Sequence, residues 1–415
     1  MRVPLSRGRE AFHAFVAREV LPYAAHWDRE QALPRAILAR LAQEGYLGAG
    51  VPREYGGRGW DAPTVGALHE ALGRGSSALT NVLTVQAMVS MTLLKWGTAE
   101  HKRAWLPALA RGEAIGAFAL TEPQAGSDLQ GLATEISERA GMLEVNGVKR
   151  WISCGQFAGV FLVFGRLEGR PAACLVPRET PGLRVAPITD LMGFRAAGLA
   201  ELRLDGARVP VANLVGRPGF ALSHVAALGL HHGRLSTACA ALGLLRACVE
   251  ESATHAAARR IGERHVGDLG MVRSLLARMG TEFEAARLLC LDACHAEDER
   301  LPEAFEKALM AKYFASRAAV RAAADAVQIH GAAGCHASAP VSRYYRDAKI
   351  LEIIEGTTQV HEDLLGEMLV DRAGRLDLSI PTEAASHDHS TDTHGNASRS
   401  RGDRTVQPHR DAVPG

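Results

Sequence analysis

The feature that most limits what this chain can fold into is a double switch of periodicity. From residue 5 to about 110, apolar residues recur at helical spacing: Phe12, Phe15, Val16 and Val20, then Ile37, Leu38, Leu41 and Leu47. A further apolar helical run covers 64–96 and ends at Gly97. The glycine-rich segment 51–59 is incompatible with regular structure. Near residue 113 the texture becomes that of strands, with short apolar or alternating runs at 117–120, 142–148, 160–164, 172–176, 183–186 and 201–204. Asn146-Gly147 reads as the turn of a hairpin. From Ala221 helical segments return at 221–257, 271–297, 302–330 and 355–370, long enough to make a bundle. The fold class expected is α+β, mainly α: an N-terminal helical domain (1–115), a central β domain (116–220) and a C-terminal helical bundle (221–372). After Ala373 the residues are polar, and 373–415 reads as a disordered tail.

Composition excludes several functions. With 415 residues and 47% hydrophobic content, the chain is long enough for two or three domains with large cores. A net charge of +1 lacks the basic footprint of a nucleic-acid binder. No run of 18 apolar residues and no signal-peptide core is present, so neither membrane span nor export is expected. Seven cysteines without C-x-x-C spacing suit a reducing cytoplasm. Cys290, Cys294 and His295 read as helix packing rather than as metal ligands. In the tail, His387, His389, His394 and Arg401-Gly402-Asp403 read as chance occurrences.

Four stretches could carry chemistry. In 350–361 an apolar run surrounds Glu352 and Glu355, which would share a face on a helix. Burial there would raise the pKa of Glu355 toward that of a useful general base. Gly356 gives steric access, and Thr357 and Gln359 add hydrogen-bonding groups. The stretch 120–128 follows a strand bearing Phe118, and in it Thr121 and Ser127, with the backbone N–H groups around Gly126, could grip a polar ring edge or a phosphate. In 149–155 Trp151 offers a flat face, with Ser153 on the same strand face. In 327–334 Gln328, Gly331 and Gly334 close an alanine-rich helix; the anion-repelling end of the dipole leaves them to act by steric access.

These four stretches, in order and with Gly182-Leu183, Gly193-Phe194-Arg195, Val209-Pro210 and Arg343-Tyr344-Tyr345-Arg346-Asp347-Ala348 between them, resemble the acyl-CoA dehydrogenase family over residues 5 to about 372. The resemblance implies a central domain that is β-barrel-like and a four-helix C-terminal bundle. It also implies FAD, a homodimer or homotetramer, and α,β-desaturation of an acyl thioester. Leu120, Thr121, Ser127, Trp151 and Ser153, with Phe118, would hold the isoalloxazine. Gln328, Gly331 and Gly334, with Arg259, would meet the ADP part from a partner subunit. Thr357 and Gln359 would line the flavin near the base. Glu355 would be that base and Arg234 the residue ordering its loop. The alternative base position just before that arginine is Gly233, so Glu355 has no rival. The chain departs from the family at Ile354, at Arg259-Arg260-Ile261-Gly262-Glu263, at Ala332 and at His231-His232. These departures imply altered ADP binding and a substrate other than a standard fatty acyl-CoA. The carrier is then CoA or an acyl carrier protein, and the electron acceptor a flavoprotein or oxygen. A flavin oxygenase, an acyl-carrier-protein oxidase of polyketide extender-unit synthesis and a non-catalytic scaffold on the same fold are the alternatives.

Overall fold

The structure is a computed structural model that describes residues 5–375. Six helices open it: α1 (Leu5–Glu19), α2 (Ala24–Glu30), α3 (Arg35–Gln43), α4 (Ala62–Gly75), α5 (Ser77–Trp96) and α6 (Ala99–Ala110). The run expected at 64–96 is broken between α4 and α5. Gly75 lies so close to Val16 and Val20 that a side chain would not fit, and Ser76 caps α5 by accepting a hydrogen bond from Leu79 N at 3.3 Å. By length and composition α5 could cross a membrane, but it is buried in the protein interior.

Seven strands follow: β1 (Gly116–Ala119), β2 (Glu135–Arg139), β3 (Met142–Ile152), β4 (Val160–Leu167), β5 (Arg170–Pro177), β6 (Leu183–Pro187) and β7 (Ala200–Pro210). They form one curled sheet in the order β1-β4-β2-β3-β7-β6, with β5 on the other edge of β4. β1 and β2 pair with β4 in parallel, and the remaining pairs are antiparallel. Alternation along β4 divides two cores. Val160, Leu162 and Phe164 pack with Val89, Leu93 and Leu106 of α5 and α6, whereas Phe161 and Val163 fill the interior of the sheet.

The hairpin expected at Asn146-Gly147 is not there. The turn is Ala140-Gly141, left-handed at both residues (φ +52° and +73°), and it joins β2 to β3. Asn146-Gly147 lies inside β3 at a register shift, where a Cβ on Gly147 would come within 2.5 Å of Thr134 Oγ1. β2 was not expected, since only Ile136 in it is buried.

After a π-helical turn (Ala221–Ala226) come α7 (Ala227–Ala258), a short hairpin of β8 (Arg260–Ile261) and β9 (Arg264–His265), α8 (Gly270–Asp298), α9 (Ala304–His330), α10 (Pro340–Ile353) and α11 (Thr358–Arg375). The fourth helix packed against α7 and α9 is α10, which sequence spacing did not delimit. Its apolar face is interrupted by Arg343 and Asp347, both buried. Asp347 accepts a hydrogen bond from Phe194 N at 2.8 Å, and Arg346 pairs with Asp28 at 2.6 Å, so α10 is fastened to the 190s loop and to α2. α7 is the spine of the molecule, packing on α4 and α5 on one side and on α8 and α9 on the other within a shared core. The tail features lie outside the described residues.

Candidate active site

Glu355 lies past the C-terminal end of α10 in a left-handed two-residue turn, with φ +57° at Glu355 and +100° at Gly356. A left-handed non-glycine residue costs about 1–3 kcal/mol, and the surroundings must hold it there. Two cations do so. Arg234 Nε donates to the Glu355 carbonyl oxygen at 3.1 Å, and Lys312 Nζ donates to the carbonyl oxygens of Gly356 at 2.7 Å and Glu352 at 3.3 Å. The carboxyl turns toward α7. A Cβ on Gly233 would sit 2.4 Å from Glu355 Oε2, so the carboxyl fills the space that a side chain at 233 would need. Part of the residue remains accessible, but Oε2 is buried and has no hydrogen-bond partner. Burial pushes the carboxyl up to about 7, against the opposing attraction of Arg234 and then Lys312. Burial likewise pushes the Lys312 ammonium down to about 7. The shared helical face expected for Glu352 and Glu355 does not form, because the helix stops between them and Glu352 pairs instead with Lys349 at 2.6 Å. Thr357 caps α11, its hydroxyl accepting from Val360 N at 3.4 Å, while Gln359 is exposed.

Lys312 escaped the sequence analysis. Its signal is a lysine inside an otherwise alanine-lined buried face, between Ala308, Ala311 and Ala315, where an unpaired ammonium would be prohibitive.

The second group of residues adjoins the Glu355 carboxyl through α7. Phe118 of β1 packs on Phe164, ring centroids 4.8 Å apart, and abuts Gly229, where a Cβ would approach its ring to 2.5 Å. Gly229 and Gly233 are one turn apart on α7, so the end of β1 and the Glu355 carboxyl touch the same glycine stripe. Beyond β1, Leu120 is buried and Thr121 half-buried. Their loop is anchored by the buried Glu122, which accepts from Lys149 Nζ at 2.6 Å, Ala133 N at 2.7 Å and Thr134 N at 3.0 Å. Arg150 N donates to the Thr121 carbonyl at 2.9 Å and brings the 150s segment alongside. Trp151 is 48% exposed and left-handed (φ +62°), with the Arg150 guanidinium 4.9 Å from its ring centroid. Ser153 does not share its strand face, because β3 stops at Ile152 and Cys154 (φ +63°) turns the chain. Ser127 is exposed, and a Cβ on Gly126 would meet only open space. An uncovered indole, accessible hydroxyls and an unpartnered buried carboxylate oxygen are what a planar aromatic cofactor beside a base requires, so these residues fit the ring of FAD.

The third group stands apart. Along α9 the rise from Lys312 to Gln328 is about 24 Å. Gln328 and Gly331 are exposed there and Gly334 is buried, with Gly331 in a conformation open only to glycine (φ +61°, ψ −143°). Arg259, exposed at the end of α7, belongs to the same end of the bundle, since His255 one turn earlier packs on His330 at 4.1 Å. These four residues therefore share no site with Glu355 of their own chain. Among the described residues no group of three metal-ligating side chains occurs.

A cavity of about 350 Å³ lies between α4, α5 and α7 and takes in His232, next to Gly233. Beside it His231 Nε2, at one of the departures from the family, lies 2.7 Å from Glu297 of α8.

Comparison with known proteins agrees with this fold. The models of the acyl-CoA dehydrogenase N-terminal, middle and C-terminal domains match residues 6–113, 117–207 and 223–370. The chain is 34% identical to a glutaryl-CoA dehydrogenase of Desulfococcus multivorans over 357 residues, 83% of this chain and 91% of that protein. It resembles the structure of FkbI, described for biosynthesis of the methoxymalonyl extender unit of a polyketide (TM-score 0.80, 33% identity, 88% of this chain and 99% of that one). It also resembles the prolyl acyl carrier protein oxidase AnaB (TM-score 0.84, 27% identity, 88% and 98%). The three-domain architecture, the matched models and these relatives together make the chain a member of the acyl-CoA dehydrogenase family, an oxidoreductase of a family that uses FAD.

Proposed function

We propose that the protein oxidises an acyl thioester across its α and β carbons, with Glu355 as the base that takes the α-proton. The observation that carries this reading is the buried, unpartnered Oε2 of Glu355, on a turn whose carbonyls Arg234 and Lys312 bind and against the same α7 glycine stripe that Phe118 touches. A carboxylate raised to about 7 matches a weakly acidic α-proton better than an ordinary glutamate does. FAD, when bound, supplies the acceptor for the hydride that leaves the β-carbon. Leu120, Thr121, Ser127, Trp151 and Ser153 would hold its ring, with Thr357 and Gln359 toward the base. Arg234 and Lys312 keep the carboxyl aimed while its charge changes, and Gly233 leaves it room. Arg259, Gln328, Gly331 and Gly334, at the end of the bundle about 24 Å along α9 from Lys312, would serve the neighbouring subunit's cofactor in a homodimer or homotetramer.

For the carrier we favour the phosphopantetheine arm of an acyl carrier protein, with CoA as the second arm of the test. Two observations support this choice: the likeness to AnaB, and the engagement of Glu297 by His231, which leaves that carboxylate paired within the protein. A flavoprotein or oxygen would reoxidise the cofactor. We place the protein in the cytoplasm, a reading supported by seven unpaired cysteines. Anaerobic titration of the FAD-loaded protein with acyl-CoA and acyl-carrier-protein panels tests the proposal. Bleaching of the flavin by one class names the carrier, and an oxidised spectrum throughout refutes the reaction.

A further inference from the structure

The cavity next to Gly233 is lined mostly by apolar side chains, but polar ones interrupt them. It runs along α7 from His232, the residue before Gly233, past Ser236 to Cys239, a rise of about 10 Å. Facing α7 it is lined by His69 of α4 and Ser90 of α5. Both residues are buried, His69 at 2% exposure and Ser90 at 0%. Neither His69 Nδ1 nor Ser90 Oγ has a hydrogen-bond partner within the protein. Buried polar atoms are nearly always satisfied, so two unsatisfied ones lining one cavity mark a ligand position.

We infer that the acyl group oxidised here carries a neutral hydrogen-bonding substituent, a hydroxyl or ether oxygen beyond the β-carbon, received by His69 and Ser90. This rests on the reaction proposed above. Any acyl chain entering the cavity displaces water, and a plain alkyl chain gives these atoms nothing in return. A carboxylate tail fits no better. The ionic groups of the cavity are Glu297, Asp298 and Arg300, two anions to one cation, so a carboxylate there would add a third negative charge. Burial holds His69 down to about 4, so it is neutral near pH 7 and offers a hydrogen bond without a charge.

The test compares pentanoyl, 5-hydroxypentanoyl and glutaryl thioesters on the carrier that bleaches the flavin. We expect kcat/KM for the hydroxy substrate to exceed that for either of the others by about tenfold or more. S90A and H69F should each erase most of that ratio by lowering the hydroxy value and raising the pentanoyl value. Both remove an unpaired buried polar atom, so thermal midpoints should hold or rise. Calorimetric binding of the same thioesters to E355Q, which cannot turn over, should rank them identically. Equal or better use of pentanoyl or glutaryl, or a ratio unmoved in both variants, overturns the inference while leaving the oxidation intact. Failure of every thioester to bleach the flavin overturns both.

Discussion

At the scale of the residue, the turn at Glu355 joins a strained backbone to a displaced pKa. Because the carboxyl titrates near 7 in the folded protein, kcat/KM should rise with pH along a limb centred there. E355Q should abolish flavin bleaching while retaining bound FAD, and unchanged turnover would exclude Glu355 as the base. The same displacement has a stability consequence. The folded carboxyl titrates above its ordinary 4.5, so the proton it binds stabilises the fold below about 4.5, and that stabilisation is lost as pH rises through about 7. The protein therefore bears a cost of up to about 3 kcal/mol at pH 8. E355Q should be the more stable protein at pH 8, with the advantage shrinking toward pH 5 in thermal melts. Lys312 acts on both properties. K312M removes the donor to two carbonyls and one of the two cations near the carboxyl. It should lower kcat/KM by roughly ten- to a hundredfold and move the pH limb upward. A lower rate with an unmoved limb would reduce Lys312 to a merely structural group.

At the scale of the element, α7 sets the geometry through what it lacks. Gly229 admits Phe118 and Gly233 admits the Glu355 carboxyl, so two residues far apart in sequence are brought to one helix face. G233A should help the helix by about 1 kcal/mol in propensity. Its Cβ, however, would lie 2.4 Å from Oε2 and would push the carboxyl aside. A displacement of about 1 Å can cost roughly a hundredfold in rate. We expect a stable, FAD-binding and nearly inactive protein, and wild-type kinetics would show that the carboxyl moves elsewhere to work. α10 is held with similar economy. Gly193 passes within 2.4 Å of the Arg346 carbonyl as measured from an ideal Cβ, and Asp347, raised to about 6 by burial, accepts from Phe194 N. This docking of α10 brings the segments around 193 and 343 together ahead of Glu355.

At the scale of the whole molecule, the two ends of α9 have different duties. The Lys312 end holds the turn at Glu355, and the end bearing Gln328 and Gly331 is exposed and remote from it. If the remote end completes a neighbour's cofactor site, mixing two inactive proteins should restore activity. E355Q and a G331V variant, combined by dissociation and reassociation, should regain a measurable fraction of wild-type turnover, and G331V alone should lose FAD. Mixtures that stay inactive, or a G331V protein that keeps FAD at full affinity, would show that each subunit holds its cofactor unaided.

The sequence by itself determined the order of helices, strands and helices, because hydrophobic periodicity depends only on which face is buried. It also singled out Glu355, Arg234, Thr121 and Trp151 through local residue types and a family resemblance. What it misjudged depends on distant contacts. Asn146-Gly147 has the chemistry of a turn but is a bulge, because Thr134 leaves no room for a side chain. Glu352 and Glu355 have helical spacing, but two carbonyl-binding cations hold a left-handed turn between α10 and α11. Only the tertiary structure revealed Lys312, the placement of the Glu355 carboxyl against Gly233, and the separation of the base from Gln328. A carboxyl's pKa, a glycine's clearance and a buried lysine's partner are properties of neighbours that the chain brings together only after it has folded.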